Sequence, residues 1–142
     1  MPVAAEIDLT VPAAPSAAGA ARRAVARRGL VGADREAILL LLVSELVSNS
    51  VRHAGMTAGE RIRLRAARRG DACAYVEVCD AGRSGRTPAK RKARGGTLEP
   101  GGLGLMLVDE MADRWGVHRH EYGTCVWFEL ACEAYAPPAD QP

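Results

Sequence analysis

The chain has 142 residues and a nearly balanced charge, with 19 Lys and Arg against 17 Asp and Glu and a formal net charge of +2. That length suits one domain with its own core, and the small net charge argues against bulk attraction to nucleic acid or to an anionic membrane. The composition, 48% hydrophobic and 25% charged, is that of a globular protein rather than a disordered one.

The N-terminal elements are predicted to be a strand and a helix. Apolar and polar residues alternate over Glu6–Val11, which predicts a half-buried strand ended by Pro12. Ala13–Arg28 is rich in Ala and Arg and predicts a helix, with Ser16 as its N-cap and Gly29 at its end. We expect the arginines of this helix to form a solvated face.

A second helix and a hairpin are predicted next. The helix is predicted to begin with Asp34 as its N-cap and to run to about Ala54. Arg61–Arg68 and Ala72–Cys79 each have strand-like patterns and flank a Gly-Asp turn, so they predict two antiparallel strands.

The C-terminal half is predicted to contain a loop, a helix and two strands. Residues 83–101 have no apolar periodicity and are rich in Gly, which predicts a long mobile loop. Leu103–Trp115 has one apolar face and predicts a helix capped by Gly116. Val117–Glu121 and Thr124–Ala131 predict the last two strands.

This order of elements predicts an α/β (α+β) two-layer sandwich, in which a mixed, mostly antiparallel sheet carries its helices on one face. The alternating strands have one apolar side to offer the helices, which favours two layers over three. We expect a single domain over residues 1–134 and a disordered Pro-rich tail over residues 135–142.

The cysteines and apolar runs bear on the compartment. The four cysteines form no C-x-x-C pair and accompany no His cluster at zinc-ligand spacing, so we expect reduced strand residues. No apolar run approaches the roughly 20 residues of a membrane span, and no signal-peptide pattern opens the sequence. The expectation is a cytoplasmic protein.

Three short segments carry candidate chemistry. Glu45, Asn49 and His53 are four residues apart and lie on one stripe of the second helix, in an otherwise apolar run. A carboxylate and an amide there lose solvation unless they meet a ligand, a metal ion or water. The alternative is that the stripe faces solvent at the end of the helix. His53 has a second alternative, a hydrogen-bonded histidine favoured by the helix dipole, and is not counted as catalytic.

The second segment is Val76-Glu-Val-Cys-Asp80-Ala-Gly82. Asp80 ends an apolar strand row, where a carboxylate can accept a hydrogen bond from an exocyclic amine, and Gly82 lets a flat ring approach the backbone. The alternative is an ordinary turn, in which Asp and Gly are common.

The third segment is Gly101-Gly102-Leu-Gly104-Leu105, which leads directly into a helix. A helix N-terminus offers free N–H groups to phosphate oxygens. A G-x-G turn alone does not identify a phosphate site, and the basic run Lys90–Arg94 before it is either a phosphate contact or merely solvated.

Together the three segments resemble, in order and spacing, the Asn box, Asp-x-Gly box and G-x-G-L box of the histidine-kinase-like ATPase superfamily. The resemblance spans a core of about residues 33–130. Three phrases resemble the branch of bacterial anti-sigma-factor serine/threonine kinases and their stand-alone actinobacterial relatives: Ser44-Glu-Leu-Val-Ser-Asn49, Ala112-Asp-Arg-Trp-Gly116 and Gly123-Thr-Cys-Val-Trp-Phe128.

The resemblance implies a role for each matching residue. Asn49 would bind Mg²⁺, and Glu45 would act as general base toward a serine hydroxyl. Asp80 would bind the adenine amine of ATP, with Gly82 beneath the ring and Thr124 in support.

The same resemblance assigns the phosphates to the G-x-G-L box, in which Gly102, Gly104 and Leu105 are cofactor-binding residues. Residues 83–101 would be the ATP lid. The family often has glycine at the position of Ser84, so the start of this lid departs from the pattern.

The leading hypothesis is therefore an ATP-binding regulator of the anti-sigma-factor kinase type. It would phosphorylate a serine of an antagonist protein, sequester a sigma factor, or do both, and a homodimer is expected from the resemblance. A nucleotide-binding interaction module without catalysis is the alternative, and an Ala-rich scaffold with no ligand is the third hypothesis. A sensor histidine kinase is disfavoured, because the sequence contains no separate phosphoacceptor helix pair.

Overall fold

The computed structural model describes residues 6–53, 60–70, 73–80, 102–120 and 123–131. Its helices and strands, in chain order, are β1 Ile7–Pro12, α1 Ala17–Arg28, α2 Ala33–His53, β2 Arg61–Arg69, β3 Cys73–Asp80, α3 Gly102–Met111, β4 Arg114–His120 and β5 Gly123–Ala131. The predicted loop over residues 83–101, the predicted tail over residues 135–142 and Gly82 lie outside the described residues.

The described strands form one five-stranded sheet in the order β1-β2-β3-β5-β4. All four pairings are antiparallel. Strand residues on one side of the sheet are buried, for example Leu64, Val78 and Phe128 at 1% exposure or less. The helices cover this side: α2 packs over the central strands, with α1 and α3 beside it. The predicted two-layer sandwich is confirmed.

The first helix begins later than its composition indicates. α1 starts at Ala17, and Ser16 occupies the N-cap position without a side-chain capping hydrogen bond. Gly29 ends α1 as predicted, at a φ of 62° that favours glycine. β1 extends through Pro12, which pairs with Arg61. Because β1 is an edge strand of this sheet, a residue without an N–H donor is tolerated there.

The second helix and the hairpin agree closely with their sequence patterns. α2 begins at Ala33, so Asp34 lies in the first helical turn rather than at the N-cap, where its carboxylate still faces the positive end of the dipole. β2 and β3 pair as predicted, and Gly70 ends β2 with a φ of 62°.

The predicted boundary between the third helix and the next strand is wrong. α3 ends at Met111, and Trp115 and Gly116 belong to β4, where they pair with Phe128 and Trp127. Asp113 separates the two elements: its N–H donates to Glu129 O at 3.0 Å, and its Oδ2 accepts from the N–H of Ala131 at 2.7 Å. The free energy gained when these residues pair with β5 outweighs the preference for helix that their apolar periodicity indicates.

The expectation of reduced cysteines is wrong for one pair. Cys79 of β3 and Cys125 of β5 form a disulfide. Their strands place them directly opposite each other, and this register cannot be obtained from the spacing of the two residues in the sequence.

Candidate functional site

A polar residue completes the buried face of α2. Leu42, Leu46 and Asn49 lie at helical spacings of four and three residues, and all three are buried. Asn49 is only 7% exposed. Glu45, one turn before Asn49, is half-buried. The stripe predicted from sequence therefore turns inward at Asn49 and does not face bulk solvent there.

The amide oxygen of Asn49 is a buried hydrogen-bond acceptor. Its Oδ1 has no hydrogen-bond partner in the part of the chain that the structure describes. Leaving such a group without a partner costs on the order of 1–3 kcal/mol. An amide oxygen can also serve as a ligand of Mg²⁺, since this ion takes oxygen ligands and retains several waters. The position of Asn49 fits the metal-binding role expected for it.

Asp80 and Thr124 lie opposite each other at one edge of the sheet. They are paired across β3 and β5, at the end of the row that contains Val76 and Val78. Thr124 is 4% exposed and Asp80 is half-buried. Since alternate residues of a strand share a face, both side chains are on the helix-covered side of the sheet. The structure brings this predicted pair together.

The start of α3 provides the third part of the candidate site. The helix begins at Gly102 and includes Gly104 in its first turn, so backbone N–H groups there have no partner within the helix. That turn has no acidic residue, and an anion would meet no like charge from it. Leu105 is 4% exposed and belongs to the core, which anchors this end of the helix.

The three parts lie on elements that touch one another. α2 packs against both α3 and β3, so the helix that carries Glu45 and Asn49 lies between the G-x-G segment and the strand that carries Asp80. Gly82 lies outside the described residues, and only the backbone of His53 is described.

Sequence reasoning missed one residue near this edge. Arg119 of β4 pairs with Thr124 and so lies in the same cross-strand row as Asp80, on the same side of the sheet. The available signal was the two-residue spacing of Val117 and Arg119 in the predicted strand, which places both on one face of the sheet. Assigning Arg119 to the site also required the order of β5 and β4, which the sequence does not reveal.

The opposite face of the sheet carries a polar and aromatic cluster. Tyr75 and His118 stack on either side of Trp127, with ring centroids 5.9 and 5.8 Å from it. The Tyr75 hydroxyl donates to Glu77 Oε2 at 2.7 Å. Burial, followed by this hydrogen bond to Glu77, raises the pKa of Tyr75 above its ordinary value. Tyr75 is thus a neutral hydrogen-bond donor at physiological pH.

This face also carries the one group of potential metal ligands found among the described residues. Ligand atoms of Glu77, Cys79 and Cys125 lie within 4.8 Å of one another. Because the two sulfurs are bonded to each other, they are not available as thiolate ligands in this state.

Comparison with known structures supports the fold. The RsbU and RsbW domains of Rv1364c from Mycobacterium tuberculosis share a TM-score of 0.60 and 21% identity over 87% of this chain and 31% of that one. The histidine kinase domain of the Erythrobacter litoralis EL346 blue-light activated histidine kinase gives 0.54 and 23%, over 81% of this chain and 59% of that one. The chain thus spans about a third of the first protein. At these identities the likeness concerns the fold alone.

The two remaining comparisons are with curated proteins and with protein families. No curated protein gives a significant match. Among the described helices, none has both the length and the apolar character needed to cross a bilayer. The family described as histidine kinase-like ATPase domain matches residues 11–130, from β1 through β5. With most of its length matched, the chain belongs to the histidine kinase-like ATPase domain family.

Proposed function

We propose that this protein is an ATP-binding regulator of the anti-sigma-factor serine/threonine kinase type. It would act in the cytoplasm as a single domain over residues 1–134, transferring the γ-phosphate of ATP to a serine of an antagonist protein, sequestering a sigma factor, or both. The proposal includes a homodimer and no nucleic-acid or membrane partner. The observation that carries it is the buried Asn49 oxygen, which has no hydrogen-bond partner among the described residues and lies one helical turn after Glu45.

Different residues of the chain would bind different parts of Mg-ATP. Asn49 would offer its oxygen to Mg²⁺, which neutralises phosphate charge when bound. Asp80 would accept a hydrogen bond from the adenine amine, with Thr124 beside it and Gly82 under the ring. Backbone N–H groups of Gly102, Gly104 and Leu105, at the start of α3, would hold the phosphates. Residues 83–101 are the proposed lid.

Glu45 is the proposed catalytic residue. It accepts the proton of the substrate serine hydroxyl while the bond from that oxygen to the γ-phosphorus forms. The bond from this phosphorus to the bridging oxygen breaks at the same time, and ADP leaves with the electron pair. The half-buried position of Glu45, next to Asn49 on the helix, suits a base that acts beside the metal-bound phosphates.

Phosphate transfer is tested with γ-labelled ATP, Mg²⁺ and a panel of candidate antagonist proteins, alongside a direct nucleotide-binding assay. Glu45→Gln should retain nucleotide affinity within about threefold and lose at least roughly 100-fold in transfer rate, since it removes only the base. Asn49→Ala should lose Mg-nucleotide binding itself. Glu36→Gln, in the first turn of the same helix, is the matched control and should leave both properties unchanged.

The outcomes separate the competing functions. A wild-type protein that binds Mg-ATP but labels no partner supports the non-catalytic interaction module. Failure of the wild-type protein to bind any adenine nucleotide would overturn both proposals.

A further inference from the structure

The Cys79–Cys125 disulfide lies directly behind the proposed adenine-binding edge. Cys79 is followed by Asp80, and Cys125 is preceded by Thr124, the residue paired with Asp80. Successive residues of a strand point to opposite faces of the sheet. The disulfide and the Asp80–Thr124 pair therefore occupy adjacent rungs of the same ladder, on opposite faces.

The spacing of the strands links these two rungs. The Cα atoms of Cys79 and Cys125 are 4.0 Å apart, the shorter of the two spacings that alternate along antiparallel strands. By this alternation the next rung, Asp80 with Thr124, is the hydrogen-bonded kind. A covalent bond between the cysteines thus restrains separation of β3 from β5 at the rung that faces the nucleotide.

The surroundings of the pair suit both oxidation states. Glu77 Oε1 is 3.1 Å from Cys79 Sγ. A disulfide sulfur has no proton to donate, so this is a simple contact in the oxidised form, whereas a Cys79 thiol could donate a hydrogen bond to the same oxygen. Glu77 is itself fixed by the hydroxyl of Tyr75. Cys79 is half-buried and Cys125 is 2% exposed, so Cys79 is the more accessible sulfur.

We propose that Cys79 and Cys125 are a reversible dithiol–disulfide pair, a modification site whose oxidation tightens nucleotide binding on the opposite face of the sheet. The coupling to nucleotide rests on the proposed function; the chemistry of the pair does not. Disulfides in a reducing compartment are as a rule transient and redox-sensing, which agrees with the proposed cytoplasmic location.

Oxidation by a low-molecular-weight disulfide, RSSR, proceeds in two exchanges. The Cys79 thiolate attacks one sulfur of RSSR; a Cys79–SR bond forms, the original S–S bond breaks, and RS⁻ leaves. The Cys125 thiolate then attacks the Cys79 sulfur, which forms the Cys79–Cys125 bond and releases the second RS⁻. The two thiol protons of the protein end on two molecules of RSH, and two electrons pass to the reagent.

The effect on binding follows from preorganisation. With β3 and β5 cross-linked, Asp80 and Thr124 keep their bound spacing in the free protein, so less freedom is lost when a nucleotide binds. We expect the oxidised protein to bind Mg-ATP roughly three- to tenfold more tightly than the reduced protein.

The test uses two matched double variants of the full chain. Cys73→Ser/Cys132→Ser keeps the pair, and Cys79→Ser/Cys125→Ser removes it. Each is equilibrated natively with glutathione disulfide or with dithiothreitol, and free thiols, Tm and Mg-ATP affinity are measured. The first variant should lose and regain two thiols, and its oxidised form should melt roughly 10 °C higher, because the bond closes a loop with a sequence separation of 46 residues. The second variant should not respond.

Four results would count against the proposal, and each identifies a different failure. A pair that exchanges only after unfolding is not a native redox site. Equal Mg-ATP affinity in both oxidation states removes the coupling alone, whereas absence of binding in both states removes the proposed function and the coupling with it. Protection of the two reduced thiols by equimolar Zn²⁺ would instead assign a metal site, with Glu77 as the third ligand. The measurements of free thiols, Tm and Mg-ATP affinity that decide these outcomes need only the variant that retains the pair. Instability of the other variant therefore does not obscure them.

Discussion

At the scale of single residues, one ion pair fastens the edge strand to the sheet. Asp8 of β1 accepts two hydrogen bonds from Arg63 of β2, at 2.9 Å from Nε and 2.7 Å from Nη2. The hydrogen bonds from Arg63 hold the pKa of Asp8 below its ordinary value of 3.8, against a smaller opposing effect of burial. Because both side chains are well exposed, water and salt screen the attraction and its contribution is small.

This pair predicts a pH-dependent loss of stability. A carboxyl whose pKa is lower in the folded state stabilises the fold above its unfolded-state pKa, and the contribution disappears as the pH falls through the folded-state value. Asp8→Asn should therefore lower Tm by about 2 °C at pH 7. The difference should shrink below about pH 4 and in 0.5 M salt. Glu110→Gln, an exposed change on α3, is the control for charge loss; a pH-independent deficit in Asp8→Asn would contradict the assignment.

Asn49 shows what a single sequence can and cannot predict about a site residue. Its spacing from Glu45 and its apolar neighbours predicted a polar residue on the inner face of a helix, and Asn49 is indeed buried. The same pattern also predicted a solvent-facing stripe, and periodicity alone could not choose between the two. The missing information was which surface α2 presents to β3 and α3, and this depends on packing between distant segments.

At the scale of elements, patterns confined to one segment predicted structure better than boundaries that depend on partners. The alternation in β2 and β3 and the glycine between them predicted the hairpin, because each determinant is local. The end of α3 was mispredicted, because Trp115 fits an apolar helical face as well as a strand face. β4 forms there only because β5 supplies a pairing edge.

The packing of β4 on β5 makes Gly116 a sensitive position. A Cβ at Gly116 would lie 2.9 Å from Cζ2 and Nε1 of Trp127. That ring is held between Tyr75 and His118 and has little room to move. Gly116→Ala should lower the free energy of unfolding in urea by about 1–3 kcal/mol.

The control for Gly116 is another glycine without such a neighbour. At Gly19 in α1, an added Cβ would meet only the far ends of the flexible side chains of Arg22 and Arg23, so Gly19→Ala should stabilise the protein by about 0.5–1 kcal/mol through helix propensity. In a Trp127→Leu background most of the Gly116→Ala penalty should vanish. If the penalty persists there, the clash with Trp127 is not its cause.

At the scale of the whole molecule, the antiparallel sheet brings together residues that are far apart in sequence. Asp80 meets Thr124 because β5 pairs with β3, although α3 and β4 lie between them in the chain. The order of the three motifs in the sequence predicted which residues would share one site. The two-layer architecture followed from the alternation of the strands, which gives each of them one apolar side. The order β1-β2-β3-β5-β4 did not follow, since many pairings satisfy the same alternation. For the same reason the Cys79–Cys125 bond was not predicted.

A ligand gripped by several elements should stabilise the molecule as a unit. At a free concentration 100 times its Kd, Mg-ATP should add about 2.7 kcal/mol to the free energy of unfolding, which corresponds to a rise in Tm of roughly 5–10 °C. EDTA should remove most of this rise if the Asn49 oxygen contacts the nucleotide through a bound Mg²⁺. Mg-GTP at the same concentration should give a much smaller rise. Guanine presents a carbonyl oxygen at the position where adenine presents the amine whose hydrogen bond Asp80 would accept. Equal stabilisation by the two nucleotides would show that Asp80 does not select the base, and a rise unaffected by EDTA would remove Asn49 from the metal site.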